Sequence, residues 1–212
     1  MALRHTSFAA PATAGSPEDA VLDATRRLVL AHGMQRTTLT EIAQEAGVSR
    51  MTVYRRWDGL SQVLGAMMQR EWDRLLDLDP ASLAARAEQA ASVREFLIDE
   101  VLAGVDAMRR SELLASLLTH DPELLLPYLV ERLGSMHRLM REVFAEAIRR
   151  GQAEGSIRAG DPERMAVAVV LAAQSFITSV RAGGSGHDPT ALDGELLAML
   201  DAYLRPASAQ PS

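Results

Sequence analysis

Cysteine is absent from this 212-residue chain, and aromatic residues make up only 4% of it. The lack of cysteine excludes a disulfide scaffold, thiolate zinc sites and a cysteine nucleophile, and it fits the cytoplasm, where we expect the protein to act. No apolar run reaches the roughly 20 residues that a membrane helix needs. The nearest candidate, 165–180, is interrupted by Gln174 and Ser175, and Pro11 and Gly15 interrupt any signal-like stretch near the start. We therefore expect no membrane partner.

Lysine is absent as well, so the 22 basic residues are all arginine in a chain of net charge −6. Their distribution is uneven. Residues 26–57 hold six arginines and two acids, a balance of +4, whereas residues 58–212 hold 15 arginines and 23 acids, a balance of −8. A basic module attached to an acidic body is the pattern expected when one part of a protein meets double-stranded DNA.

Helical periodicity runs along the chain, and no alternating run of β-branched and aromatic residues indicates a strand. Apolar residues make up 48% of the chain, enough for a substantial core. We predict an all-α protein of about nine helices. We expect a three-helix N-terminal module over residues 16–59, a helical body over residues 60–205, and disordered tails at 1–15 and 206–212.

Capping residues mark the first two helices. Ser16 followed by Pro17 predicts the start of the first helix, because serine caps a helix and proline is tolerated at its first position. Gly33 predicts its stop in a left-handed conformation. Thr38 and Glu41 have the spacing of a capping box, which predicts the start of a short second helix.

Residues 38–57 read TLTEIAQEAGVSRMTVYRRW, which predicts two short helices joined by a tight turn. Gly47 supplies the turn, Ser49 caps the second of these helices, and Ile42 and Val53 supply a shared core. This is the helix-turn-helix arrangement, in which the second helix enters the major groove of DNA.

The predicted DNA-binding residues lie at the starts of these two helices and along the second one. Free backbone N–H groups at a helix start attract phosphate, and the first turn of a recognition helix reaches the base edges. An arginine there can pair with guanine through two hydrogen bonds, and basic residues further along can hold the DNA backbone. The set comprises Thr38, Ser49, Arg50, Met51, Thr52, Tyr54, Arg55 and Arg56.

Apolar stripes predict the helices of the body. A long stripe predicts a helix over 60–76, ended by Asp79 and Pro80. Further helices are expected near 82–109, 111–119, 122–150 with a kink at Pro127, 161–181 and 189–204. The last two carry many apolar residues, and a monomer would leave part of this surface exposed, so they are the expected homodimer interface. Its candidate residues are Val170, Ile177, Leu196 and Leu200.

Methionine, aromatic and histidine residues of the body are candidates for the wall of a small-molecule pocket. They are Met67, Met68, Trp72, Phe96, Tyr128, His137 and Met140. Methionine suits an adaptable apolar pocket, but it is also a common filler of cores. An isolated histidine is more often a surface or partly buried residue, and none of the five histidines has the spacing of metal ligands. We expect a largely apolar ligand, no metal and no cofactor.

Residues 17–76 resemble the DNA-binding segment of the tetracycline-repressor (TetR) family of bacterial transcriptional regulators. The resemblance rests on the segments Thr38-Leu39-Thr40-Glu41-Ile42-Ala43, Ala46-Gly47-Val48-Ser49 and Thr52-Val53-Tyr54, followed by Trp57 and a long helix. Residues 146–151, 155–158 and 161–162 also resemble the body of many members. The resemblance implies an all-helical homodimer that binds a palindromic operator and releases it when a small molecule enters the C-terminal body.

One segment departs from the family pattern. Many members carry Pro-Ser-Lys after the aromatic residue, and the lysine touches phosphate, whereas this chain has Asp58-Gly59-Leu60. That contact is therefore absent, so either Arg55 or Arg56 replaces it or DNA binding is weaker.

We interpret the chain as a ligand-responsive transcriptional regulator, most simply a repressor, and not as an enzyme. No nucleophile elbow is present, and no pair of acids can be singled out as catalytic. Two alternatives stay open. One is a helical enzyme or carrier with an incidental helix-turn-helix, and the other is an activator or a regulator without a small-molecule effector.

Overall fold

The computed structural model describes residues 16–77, 79–121, 133–181 and 189–206. Within these ranges it contains ten α-helices and no strand, which confirms the all-α prediction. The helices are α1 Pro17–His32, α2 Leu39–Glu45, α3 Arg50–Arg56, α4 Leu60–Leu76, α5 Pro80–Gln89, α6 Val93–Arg110, α7 Glu112–His120, α8 Leu133–Glu154, α9 Pro162–Arg181 and α10 Pro189–Leu204. Tyr128, the kink expected at Pro127 and the predicted tails, apart from residue 206, lie outside the described residues.

The described residues pack as two compact units, one up to residue 68 and the other from residue 69 onward. The division falls inside α4, between Met68 and Gln69. The limits proposed above, 16–59 and 60–205, follow helix starts rather than packing, and they stay a prediction.

The start and the end of α1 follow the predicted signals. The Asp19 N–H donates to the Ser16 hydroxyl oxygen at 3.1 Å, and Pro17 occupies the first turn. At the other end the Gly33 N–H donates to the Val29 carbonyl at 2.9 Å. Gly33 has φ +90° and ψ 169°, so the chain leaves the helix through a backbone conformation that glycine adopts readily, though not through the left-handed helical one.

The core of the second unit is formed where α6 packs against α8, α9 and α10. All four helices contribute buried apolar side chains, which removes these surfaces from water and stabilises the unit. They are Leu97, Ile98, Val101 and Val105 from α6, Ala145 and Ile148 from α8, Met165, Ala166 and Val169 from α9, and Leu196, Leu200 and Leu204 from α10.

Arg158 holds the C-terminal end of α10 on this core. Its backbone N–H donates to the Leu204 carbonyl at 2.8 Å, and its Nε–H donates to the Tyr203 carbonyl at 2.6 Å. The guanidinium also lies over the Tyr203 ring, 4.5 Å from the ring centroid. The last carbonyls of a helix lack partners within it, so Arg158 supplies them with donors and places a cation at the negative end of the helix dipole.

The predicted single helix over 82–109 was wrong, because the chain forms two helices there. The missed signal is a cap: the Glu95 N–H donates to the Ser92 hydroxyl oxygen at 3.2 Å, while the Glu95 carboxylate accepts from the Ala91 N–H at 2.9 Å. These bonds start α6 at Val93 and separate it from α5.

Asp79 and Pro80 also have a different role from the one expected. Asp79 caps α5, since its carboxylate accepts from the Ser82 N–H at 3.0 Å, and Pro80 takes the first helical position. The preceding helix α4 has already ended at Leu76, and Asp77 follows it with φ +43°.

Three of the four expected interface residues require a correction, because the chain itself covers them. Leu196 is 0% exposed and Leu200 is 3% exposed, both inside the core described above, and Val170 is 7% exposed. These three side chains offer almost no surface to a second copy. Ile177 is only partly buried against the same core, so its place in an interface stays a prediction. The exposed apolar residues of α9 and α10 are Leu171, Leu197 and Met199.

Substitutions of two neighbouring leucines on α10 test which side of this helix faces the core. We expect Leu196→Ala to lower the free energy of unfolding by about 2–5 kcal/mol, because it leaves a cavity in the core. Leu197→Ala changes a side chain that is 45% exposed, so its effect should stay within about 0.5 kcal/mol when measured on the monomer. Urea denaturation followed by circular dichroism measures both values, and equal losses would contradict the observed orientation of α10.

Candidate DNA-binding surface and ligand cavity

The turn between α2 and α3 depends on Gly47. This residue has φ +66°, a left-handed conformation that costs a residue with a side chain about 1–2 kcal/mol. Its N–H donates to the Gln44 carbonyl at 3.1 Å, and the next N–H, from Val48, donates to the Ala43 carbonyl at 3.0 Å. The two bonds close the turn tightly and set the direction in which α3 leaves it.

Predicted caps fix the starts of both helices. The Glu41 N–H donates to the Thr38 hydroxyl oxygen at 3.3 Å, and the Glu41 carboxylate accepts from the Thr38 N–H at 3.0 Å and from the Thr38 hydroxyl at 2.8 Å. The capping box is thus confirmed, but it also places a carboxylate at the start of α2. At α3 the Thr52 N–H donates to the Ser49 hydroxyl oxygen at 3.1 Å, and no acidic residue lies in the first turn.

Buried residues on one side of α3 determine which side faces outward. Val53 is 1% exposed, and Ile42 and Ala43 of α2 are 0% and 2% exposed. Trp57, which follows α3 directly, is 7% exposed. With Val53 and Trp57 buried, the remaining side chains of α3 form its outer surface.

That outer surface holds the predicted DNA-binding residues. Met51 is 75% exposed and Tyr54 is 51% exposed, although both are large and apolar in part. Arg50, Arg55 and Arg56 are exposed as well, and Thr52 is half-buried. Exposed apolar atoms among cations are the mixture that a helix needs to contact thymine methyl groups, guanine edges and phosphates.

The arginines of this surface differ in how far their charge is neutralised. The Arg56 guanidinium donates to both oxygens of Glu18, at 3.1 and 3.3 Å, and these hydrogen bonds raise the pKa of Arg56. Among the residues that the structure describes, no acid pairs with Arg50 or Arg55. Arg50 and Arg55 are therefore the cations of α3 that can be directed at DNA without giving up an ion pair.

The segment that departs from the family pattern has a structural explanation. The Asp58 N–H donates to the Gln62 amide oxygen at 3.1 Å, and the Gln62 amide donates to the Asp58 carboxylate at 3.0 Å. Asp58 thus holds the start of α4 in place. Leu60, the first residue of α4, occupies the sequence position at which the family pattern has a lysine on phosphate.

A second candidate site is a cavity of about 390 Å³ within the second unit, a volume typical of small-molecule pockets. Helices α4 to α9 line it, almost entirely with apolar side chains. Three predicted pocket residues, Trp72, Phe96 and Met140, lie in its wall, while the side chain of His137 lies outside the described residues. Met67 and Met68 are a correction: each is 1% exposed and neither lines the cavity, so they are core fillers.

Sequence reasoning missed the other residues of this wall. Val170 and Ile177, expected at a dimer interface, line the cavity together with the polar side chains of Gln174 and Thr178. Both polar residues are half-buried, and the Thr178 hydroxyl donates to the Gln174 carbonyl at 2.9 Å. The apolar residues of α9 led to the expectation of a dimer interface, because periodicity cannot distinguish a surface that packs on a second copy from one that lines a cavity within the chain.

The cavity wall also contains an ion cluster formed by Asp77, Arg86 and Glu100. The Arg86 guanidinium donates to the two oxygens of Glu100 at 2.6 and 3.0 Å. It also donates to the Asp77 carboxylate at 2.7 Å and to the Asp77 carbonyl at 3.0 Å. The hydrogen bond to Glu100 is the largest cause that raises the pKa of Arg86. No local spacing could predict this cluster, because its members come from three different parts of the chain.

Within the described ranges, no group of three or more histidines and acids could hold a metal ion. No helix in the same ranges is long and apolar enough to cross a membrane.

Comparisons with known proteins identify the architecture. Residues 21–67 match the family described as bacterial regulatory proteins, tetR family. An uncharacterised HTH-type transcriptional regulator of Mycobacterium tuberculosis is 35% identical over 184 residues, which is 87% of this chain and 92% of that protein. The crystal structure of a TetR-family regulator from Rhodococcus sp. superposes with a TM-score of 0.66 at 21% identity, covering 89% of this chain and 98% of that one. A transcriptional regulator from Saccharomonospora viridis, solved in complex with choline, gives a TM-score of 0.65 at 17% identity, covering 89% and 97%.

Alanine variants of the arginines on α3 separate their roles. We expect Arg50→Ala to weaken specific DNA binding by about 1–3 kcal/mol, because a base contact is lost. Arg55→Ala should weaken binding to all sequences and lower the salt-dependence slope by about one. Arg56→Ala should lower that slope less, because Glu18 already neutralises Arg56 in the free protein. Binding measured over a range of salt concentrations checks this, and equal slopes for the Arg55 and Arg56 variants would contradict the distinction.

Proposed function

We propose, on the premise that this chain belongs to the tetR family of bacterial regulatory proteins, that it represses transcription from a palindromic operator in the cytoplasm. In this proposal it binds as a homodimer, and a small, largely apolar effector releases it. Family membership makes the chain a DNA-binding transcriptional regulator and not an enzyme. The observation that carries the finer proposal is that one chain combines an exposed basic α3 with an apolar cavity of about 390 Å³.

Homodimerisation is supported by the outer surface of α9 and α10. Leu171 is 56% exposed, Leu197 45% and Met199 52% in the single chain. Small exposed residues lie beside them on α10, at a spacing that places them along one side of the helix; they are Gly194, Ala198 and Ala202. Large apolar residues around a strip of small ones allow close helix packing, and a second copy would remove this surface from water.

The effector part of the proposal rests on the cavity and on the continuity of α4. Trp72, Leu75 and Leu76 of α4 line the cavity, and the same helix extends back to Leu60, separated from α3 only by residues 57–59. A ligand that displaces the cavity end of α4 therefore acts on the helix that is joined to the DNA-binding module. Release requires tighter binding to the released state, and a hundredfold preference corresponds to about 2.7 kcal/mol.

The repressor proposal predicts a two-fold symmetric footprint on DNA upstream of the protein's own gene. Two recognition helices in a dimer must enter major grooves about 34–36 Å apart or at a multiple of one helical turn. Footprinting and electrophoretic shifts measure the protected site, and deletion of the gene should raise expression of a reporter placed behind that DNA. A fall in reporter expression would show an activator, and the absence of any shift on this DNA would contradict the proposed operator.

The dimer proposal predicts that a charge on the outer surface of α10 produces monomers. Leu197→Glu should be monomeric by light scattering and should lose operator binding, because one half-site alone binds weakly. Ala87→Glu adds the same charge at an exposed position of α5 and should remain dimeric. Unchanged helical content by circular dichroism shows that both variants are folded. A Leu197→Glu protein that remains dimeric would place the interface elsewhere.

A further inference from the structure

We propose that the cavity selects an apolar ligand that carries a single positive charge, and that the charged group binds at the Asp77–Arg86–Glu100 cluster. This inference rests on the proposed effector function of the cavity and specifies the chemical class of the ligand. Two observations support it: the negative charge of the cluster, and the acceptor positions on its carboxylates that Arg86 does not use.

The ion cluster has an excess of negative charge. Two carboxylates, Asp77 and Glu100, face one guanidinium, and the other described residues that line the cavity carry no formal charge. Glu100 is the more enclosed acid, with its side chain 17% exposed against 59% for Asp77. The described part of the wall therefore has a net charge of −1, and around Glu100 charge interactions are less screened than in water.

Hydrogen-bonding capacity favours the same class of ligand. A guanidinium has five N–H donors, and four hydrogen bonds from Arg86 to Glu100 and Asp77 already use most of them. Each carboxylate offers about four acceptor positions. Arg86 occupies two on Glu100 and one on the Asp77 carboxylate. The cluster can therefore accept further donors, whereas it has little left to donate to an anion.

The remainder of the wall requires an apolar body. Leucine, valine, alanine, phenylalanine and methionine side chains supply most of its surface. Among the described residues, Gln174, Thr178 and the indole N–H of Trp72 add further polar groups. A carboxylate ligand would lose its hydration, would find little donor capacity left on Arg86, and would meet a cluster of its own sign. A protonated primary amine on an alkyl chain matches both parts of the wall, because its three N–H groups meet acceptors and its chain meets hydrocarbon.

Decylamine, decanol and decanoate test the proposal, because they share a chain length and differ in charge. Isothermal titration calorimetry on the full chain, at concentrations below those that form micelles, should show decylamine binding roughly tenfold or more tightly than decanol, and decanoate binding most weakly. Decylamine should also release the operator DNA. The variant Gly104→Leu should abolish binding of all three probes. It fills the cavity from α6, where a Cβ atom would meet only Leu76 Cδ2, at 3.4 Å.

Three substitutions test whether Glu100 and Asp77 cause the preference for a positively charged ligand. Glu100→Gln and Asp77→Asn each remove one negative charge with little change of shape, and asparagine tolerates the positive φ of residue 77. Each should weaken decylamine binding roughly tenfold relative to decanol, and the double variant should bind decanoate best. Asp106→Asn is the matched control, since it neutralises an exposed acid on α6 that pairs with Arg110 outside the cavity wall.

The outcomes of these experiments separate the proposal that the cavity is an effector site from the proposal that it selects a positively charged ligand. Decanoate binding as tightly as decylamine, or decylamine binding that is unaffected by Glu100→Gln, would overturn the charge selection while leaving the cavity as an effector site. Binding of all probes that survives in Gly104→Leu would show an adventitious surface site and overturn both. Absence of binding by every probe would overturn both as well. Charge-ordered binding that is lost in Gly104→Leu and weakened in Glu100→Gln supports both proposals.

Discussion

The first backbone N–H groups of a helix have no partner within it, and at most of the described helix starts a side-chain oxygen accepts from one of them. The capping residues identified are Ser16, Thr38, Ser49, Asp79, Ser92, Ser111 and Asp161. These caps set where each helix begins and therefore which side chains share a face. At α3 the consequence is functional: a start at Arg50 turns Val53 inward, and Arg50, Tyr54 and Arg55 face outward.

Because caps are local in sequence, they explain how much of the fold could be predicted. The serine, threonine and glutamate signals were sufficient to predict where α1, α2 and α3 begin, and the structure confirms these starts. Ser92 and Glu95 carry the same signal and could have divided the helix predicted over 82–109. The orientation of α10 was harder, because Leu196 and Leu197 are identical residues at adjacent positions, and only the packing of α6, α8 and α9 decides which one is enclosed.

Which charges are free to bind DNA could likewise be identified only from the three-dimensional structure. The balance of +4 over residues 26–57 is correct as a count, but Arg27 pairs with Glu45 and Arg56 pairs with Glu18, an acid outside that window. The charge that α3 offers without an ion pair comes from Arg50 and Arg55. The cluster around Arg86 was likewise invisible in the sequence, since its two acids lie on opposite sides of it at separations of 9 and 14 residues.

The position of that cluster links ligand charge to the proposed release of DNA. Asp77 directly follows α4, and Arg86 holds both its carboxylate and its carbonyl. The residue keeps φ +43°, a backbone conformation that a non-glycine residue adopts only at some cost. A cationic ligand group bound to the open positions of these carboxylates would reduce their attraction for Arg86 and so weaken the bonds that secure the end of α4. Under this proposal, recognition of the charge and loosening of the helix that leads to the DNA-binding module are one event, whereas a neutral ligand would have to displace α4 by its bulk alone.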